Sequence, residues 1–357
     1  MNKVRFGILT YGKVAHLHAQ AIRSNPELEL VAVWGRDRQK REQFAATYGI
    51  QAFNSISEMI QRAHLDAVLV ASPHPQHVQH SLEALEAGAH VLIEKPMALT
   101  KTDCDRVIET AERFGLKVGV ISQRRWYPAV QRIREAINAG KIGTPMIGQV
   151  TMLGWRDEAY YKSDPWRGSW SREGGGVLVN QAPHQLDLLQ WFMGPATEVF
   201  AYWDNINHPY IEVEDTALAL IRFTSGGMAT ILVSNSQKPG IYAKVHIHGS
   251  SGASVGVQTD GGAMFVAGLS KITEAPFNDI WTIPGEEDNL KLWKAQDADF
   301  FGIIDTTLYF HGLQIKDFAD AIVQNRPPLV DGKEGRKTVA LIEAIYQSGK
   351  ERRPISL

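Results

Sequence analysis

Val4–Thr10 is a β-rich, mostly apolar run that leads through Gly12 into Gly12–Arg23, a stretch with helical spacing. The same alternation then repeats. Leu28–Trp34 precedes the charged helical stretch Arg38–Tyr48, and Ala67–Ala71, His90–Glu94 and Lys117–Val120 are further apolar runs. Helical stretches Val78–Ala87 and Cys104–Phe114 lie between them, the first stopped by Gly88. Short strands without an exposed face, joined by helices, require crossover connections. The first part of the chain is therefore predicted to be α/β, a doubly wound parallel sheet.

The pattern changes near Gln123. Ile147–Trp155, Glu198–Trp203, Asp215–Phe223, Met228–Ser234 and Ala243–His248 are longer and alternate apolar with polar residues. Turn pairs Ser225-Gly226 and Ser251-Gly252 separate some of them. Such strands predict an α+β domain with a large open, mostly antiparallel sheet, one face packed by helices. Asp260–Phe300 is weakly patterned and is expected to hold loops and short strands. Phe310–Ile322 and Gly335–Ser348 return to helical periodicity. The 357 residues thus divide into 1–122 and 123–357, with the C-terminal helices free to pack back on the first domain.

Composition removes several classes. Lys plus Arg is 37 against 39 Asp plus Glu, a net charge of −2, so nothing in the total favours nucleic acid or a membrane surface. A single cysteine, Cys104, rules out an internal disulfide and a Cys-based zinc site, and it reads as structural. The opening MNKVRFGILTYGKV is too poor in apolar residues for a signal peptide, and no run approaches a membrane span, so a cytoplasmic protein is expected.

Gly7–Ala15 sits where a dinucleotide fingerprint belongs, between strand and helix. There a pyrophosphate meets backbone N–H groups and the positive end of a helix. Thr10 takes the first glycine position, Gly12 the second and Ala15 the third. Thr10, Tyr11, Gly12, Lys13 and Val14 are the candidate phosphate turn of a Rossmann domain; a plain helix-capping turn is the alternative. The second strand ends in Gly35-Arg36-Asp37-Arg38 rather than in an acid at the ribose position. Arg36 and Arg38 suit a 2′-phosphate, which favours NADP over NAD, although Asp37 could serve NAD. His16 and His18 are expected to pack beneath the turn.

Ile93-Glu94-Lys95-Pro96 puts a lysine at the carboxyl end of a buried strand, where open α/β sheets bind ligands. The stretch DAVLVASPHPQHVQHSLEALEAGAHVLIEKPMALT, with Gln123-Arg124-Arg125, the Gly174-Gly175-Gly176 turn and RPPLVDGKEGRKT, resembles the glucose–fructose oxidoreductase/inositol dehydrogenase (Gfo/Idh/MocA) family across nearly the whole chain. The resemblance implies a nicotinamide cofactor, a catalytic-site Lys95, and cofactor contacts from Ser72, Pro73, Glu94, Lys95 and Gln123; His74 and His77, in the loop after the AVLVA strand, are further candidate cofactor contacts, with a solvated loop as the alternative. It also implies a homodimer or homotetramer.

Asn180, His184 and Asp187 fall at i, i+4 and i+7, with Asn180 the expected cap of a helix reaching Met193. The preceding glycines permit close approach of backbone or cofactor. Family members usually carry Asp where this chain has Asn180. Asn cannot ionise, so His184 becomes the candidate acid/base, Lys95 the charge that stabilises an alkoxide, and Asn180 a group that orients substrate. Asp187 could set the tautomer of His184.

Trp155, Tyr160, Tyr161, Trp166 and Trp170 crowd into 16 residues, and nine basic against four acidic residues lie between Arg124 and Arg172. Trp155 and Trp166 are candidates to stack on a sugar, and Arg124, Arg125 and Arg167 to bind a carboxylate or phosphate. Core aromatics and internal ion pairs are the competing reading. His246 and His248 share a strand face without further ligands, so no metal is expected. The expected activity is hydride transfer between a nicotinamide and a secondary alcohol or ketone of a sugar, sugar derivative or cyclitol bound between the domains. A glycoside hydrolase or lyase using transient oxidation, and a non-catalytic sugar or dinucleotide sensor, are the alternatives.

Overall fold

The computed structural model describes residues 3–260 and 274–357, and the chain forms two compact units. The first comprises the residues up to Gln123 together with Thr307–Val339. Its six strands, β1 (Val4–Leu9), β2 (Leu28–Trp34), β3 (Gln51–Phe53), β4 (Ala67–Val70), β5 (His90–Ile93) and β6 (Val118–Val120), are all parallel in the order β3-β2-β1-β4-β5-β6. Order reverses between β1 and β4, which opens a crevice at their carboxyl ends. Phe6, Ile8, Val33 and Leu69 are fully buried, and Phe318 from helix Thr306–Val323 closes the same core. Each such side chain contributes about 1.5–3 kcal/mol through burial.

The second unit holds β7 (Pro145–Leu153), β8 (Ala196–Asp204), β9 (Thr216–Phe223), β10 (Met228–Ser234), β11 (Tyr242–Gly249), β12 (Ser254–Asp260), β13 (Phe277–Trp281) and β14 (Ile355–Ser356). They form one sheet, β13-β12-β11-β7-β10-β9-β8-β14, in which only β7 and β10 pair parallel. Alternation fixes its faces. In β9, Ala217, Ala219, Ile221 and Phe223 are buried, whereas Leu218 and Leu220 are exposed. Helix Pro183–Met193 is buried along nearly its whole length in this unit.

Two expectations need correction. Asp260–Phe300 contains β13 and a full helix, Asn289–Ile303, in addition to residues 261–273, which lie outside the described residues. That helix buries only Asp297, so it shows no apolar periodicity to read. The expected helix from Asn180 to Met193 is also interrupted. Asn180 closes the short helix Val177–Asn180, and a new helix starts at Pro183 after Gln181-Ala182. Asn180 is therefore not a helix cap.

Candidate active site

In the first unit the turn after β1 has the features of a dinucleotide cradle. Thr10 has φ +88°, a conformation that costs a β-branched residue about 1–3 kcal/mol. It is held there by its N–H to Trp34 O at 2.7 Å and its Oγ1 to Ala71 O at 2.9 Å. Gly12 precedes helix Lys13–Arg23 and supplies no side-chain cap. A Cβ added to Gly12 would meet no protein atom within 4 Å. Packing does not require glycine at this position. The open space leaves the first-turn amides clear for an anion, and a cofactor diphosphate fits there.

The second turn is built differently from its expectation. Tyr11 lays its ring against Gly35, where a Cβ would stand 2.2 Å from the ring, and its hydroxyl accepts the Asp37 N–H at 2.9 Å. Asp37 caps helix Arg38–Tyr48 through Lys40 N–H at 3.0 Å. Arg38 lies along that helix on Glu42 at 2.7 Å, while Arg36 is exposed. Both arginines singled out by spacing are exposed, and Arg38 is paired with Glu42.

At the ends of β4 and β5, His77 lies inside the unit and not in a solvated loop. It is fully buried, with Nδ1 2.7 Å from Pro96 O and Nε2 2.7 Å from Ser72 O. It ties the Ser72-Pro73 turn to the Lys95-Pro96 turn, whose peptide bond is cis. His80, which sequence reasoning missed, holds Ser72 Oγ at 2.9 Å, and burial, with His77 and Arg36 nearby, lowers its pKa to about 4. His74 is also buried, its ring edge-on to His77.

Glu94 accepts from the Lys95 N–H at 3.0 Å and pairs with His18 at 2.7 Å. Burial pushes its carboxyl up, but the His18 hydrogen bond and charge, with Lys95 and His311, outweigh this and hold it well below the usual range. Gln123, also buried, opens the 3-10 turn Gln123–Trp126.

In the second unit the glycine turn serves packing. A Cβ on Gly176 would lie 1.8 Å from Glu214 O. The Glu214 carboxylate accepts the N–H groups of Gly176 and Leu178 at 2.9 and 3.0 Å and the Tyr346 hydroxyl at 2.8 Å. Burial pushes its pKa up to about 7 against the pull of those donors. The close partner of this glycine is the chain itself. His184, buried, stands in the first turn of helix Pro183–Met193. Asn180 Nδ2 donates to Glu173.

Asp187 gives both oxygens to Arg125, at 2.9 and 2.6 Å, so the Arg125 guanidinium expected to bind an anionic substrate is engaged by a carboxylate of the chain itself. Arg125 is 2% exposed and lies over the Trp191 ring. Arg124 pairs with Asp260 at 2.5 Å. Arg167 pairs with Asp164 at 3.2 Å, between the Trp166 and Tyr160 rings. Trp155 tilts onto buried His208. The basic excess is thus largely matched by carboxylates brought in from elsewhere in the sequence. Glu173, Glu214 and Asp260 went unnoticed; the only local signal was the acidic pair Glu214-Asp215 ahead of an apolar strand. His246 pairs with Asp279, and among the described residues no group of three metal-ligating side chains occurs.

Two family profiles match this chain. The oxidoreductase family with an NAD-binding Rossmann fold covers residues 4–122, and the GFO/IDH/MocA C-terminal domain covers residues 130–255. The chain belongs to the Gfo/Idh/MocA family. It is an oxidoreductase with an NAD-binding Rossmann domain. A myo-inositol 2-dehydrogenase of Thermotoga maritima is 24% identical over 99% of this chain and 98% of its own length. A D-apiose dehydrogenase of Paraburkholderia graminis is 25% identical over 96% of this chain and 86% of its own. The WlbA dehydrogenase from Bordetella pertussis, solved in complex with NADH and UDP-GlcNAcA, has a TM-score of 0.87 and 28% identity, covering 100% of this chain and 98% of that one. No helix among the described residues is long and apolar enough to cross a membrane.

Proposed function

We propose that this member of the family is an NAD(P)-dependent dehydrogenase acting on a CH–OH group of a sugar, sugar derivative or cyclitol. The observation that carries this reading is the Glu94-Lys95-Pro96 turn at the carboxyl end of β5, anchored by His18 and His77 within the unit that holds the dinucleotide cradle. When bound, a nicotinamide supplies the two-electron acceptor for hydride. Lys95 brings positive charge to the oxygen of the carbinol as it loses its proton. His184 takes that proton, and Asn180 orients the hydroxyl by hydrogen bonding. Thr10, Gly12 and the first amides of helix Lys13–Arg23 hold the diphosphate, and Arg36 favours NADP.

A nucleotide sugar is the first substrate to test, because a structural relative matched over 98% of its own chain was solved in complex with NADH and UDP-GlcNAcA. The exposed sheet face is the proposed subunit interface: Tyr202, Leu218, Leu220, Met228 and Ile147 all project from it. Purified protein is mixed with NAD+ or NADP+ and UDP-GlcNAcA, myo-inositol and a panel of aldoses, and reduced-cofactor absorbance is followed. Turnover with one class and its loss in Lys95→Ala support the reading. Absence of turnover across the panel with both cofactors refutes it.

A further inference from the structure

Glu173 ends the short helix Trp170–Glu173 and is 1% exposed. Oε2 accepts the Gly168 N–H at 2.5 Å, and Oε1 accepts from the Asn180 Nδ2. An ionised carboxylate can only accept, so Asn180 must turn its NH2 toward Glu173. Its Oδ1 then lies on the opposite side of the carboxamide. An Asp at 180 would put two carboxylates at hydrogen-bonding range, where one of them has to keep its proton.

We propose that Glu173 is a positioning residue for hydride transfer. It fixes the Asn180 carboxamide with its oxygen presented as an acceptor for a substrate hydroxyl, and it makes Asn, not Asp, the workable residue at 180. This rests on the reading of Asn180 as substrate-facing. Asn180 and Glu173 form one unit, so a carboxylate can occupy one of the two positions and an amide the other.

The unit predicts a swap. In Glu173→Gln the new amide must still accept from Gly168, so its NH2 meets the NH2 of Asn180 and the Asn180 carboxamide turns over. In Asn180→Asp the paired acids share a proton at low pH. As pH rises through their raised value both ionise, and the contact opens. Joining the two changes restores a donor facing an acceptor, with the polarity of the pair reversed.

Kinetics with NAD+ and UDP-GlcNAcA, and in parallel with myo-inositol, are recorded from about pH 6 to 9 on the wild type, both single variants and the double variant. About a tenfold or larger loss of kcat is expected in each single variant above neutral pH, equivalent to one pKa unit of differential interaction. KM for NAD+ should change by less than about twofold. Asn180→Asp should gain a limb that falls with rising pH. The double variant should lose that limb and return to within about threefold of wild type. An Asn180→Asp enzyme with the wild-type profile, or a double variant no better than the singles, overturns the inference.

A second measurement needs no substrate. In protein labelled with 15N-asparagine, one Asn180 side-chain proton should be shifted downfield by Glu173, and Glu173→Gln should abolish that shift. An unchanged signal overturns the positioning role whether or not either probe is turned over. Failure of the wild type to oxidise both probes counts against the functional reading alone.

Discussion

His18 Nε2 lies 2.7 Å from Glu94 Oε1, so the first helix of the dinucleotide unit grips the residue immediately before Lys95. His18 is wholly buried and the Glu94 side chain is 13% exposed. Replacing His18 by Leu leaves a buried carboxylate without this partner, at a cost of about 3–5 kcal/mol. Because Glu94 is held below its ordinary range, its contribution is present at neutral pH and lost as pH falls through the folded value. His18→Leu should therefore melt at lower temperature near neutral pH, and the gap to wild type should narrow on acidification as Glu94 takes up a proton. Thermal melts on a pH series measure both effects; equal melting temperatures at neutral pH, or a gap that stays constant as pH falls, would show that the pair is not stabilising.

The roles proposed for Lys95 and His184 predict that binding and chemistry can be separated. Lys95→Ala should retain NADH binding, read by fluorescence, while kcat falls by about a hundredfold or more. His184→Ala should lower kcat and remove one limb of the kcat pH profile. A His184→Ala enzyme with an intact profile would assign the proton to another group.

Gly12 and Gly176 should respond in opposite ways to the same added methyl. At Gly12 a Cβ finds open space and φ is −71°, so Gly12→Ala should fold with a wild-type melting temperature yet bind NAD+ or NADP+ weakly. At Gly176 the methyl would lie 1.8 Å from the carbonyl oxygen of Glu214, and Gly176→Ala should express poorly or melt far lower. Calorimetry on both variants, with and without cofactor, decides the matter. Normal cofactor affinity in Gly12→Ala would remove the turn from the cofactor site.

Glu214 should make the second unit weaker as pH rises. Its folded pKa of about 7 lies above the ordinary carboxylate value, so between the two the folded chain holds a proton that the unfolded chain has lost. Stability from this group is full below the unfolded value and declines as pH climbs to about 7, by at most about 3 kcal/mol. Denaturant melts of wild type and Glu214→Gln at pH 5 and pH 8 should diverge in that sense, the variant showing the smaller drop. Equal drops would mean that the donors around Glu214 keep it ionised.

Leu218 and Tyr202 lie directly opposite one another across β9 and β8, on the exposed face of the sheet. Leu218→Lys should shift the mass measured by light scattering toward the monomer while leaving the melting transition cooperative. A wild type that is already monomeric at micromolar concentration would refute the proposed interface.

The sequence made five of the six parallel strands legible because each is a largely apolar run set between helical stretches, whereas β3, three residues long with Gln51 and Ala52 exposed, carries no such signal. It also brought Lys95 and the Gly12 turn into view, since both lie at strand ends that motif spacing can locate. Pairings across long separations stayed hidden. Arg125 and Asp187 are 62 residues apart and His77 reaches Pro96 across 19, so an arginine destined for an ion pair looked like an anion receptor. Helix Asn289–Ile303 was missed for lack of buried apolar positions, and the break after Asn180 because its side chain answers to Glu173, not to the helix amides.

The contact of Tyr11 with Gly35 bears on attempts to retune which dinucleotide the enzyme uses. Placing an acid at 35 to bind a ribose hydroxyl is blocked while the Tyr11 ring occupies that volume. Shrinking Tyr11 alone withdraws the hydroxyl that receives the Asp37 N–H. The space at position 35 is therefore a property of two positions at once. A route from one coenzyme to the other through position 35 must change both together, because either step alone passes through a poorer enzyme.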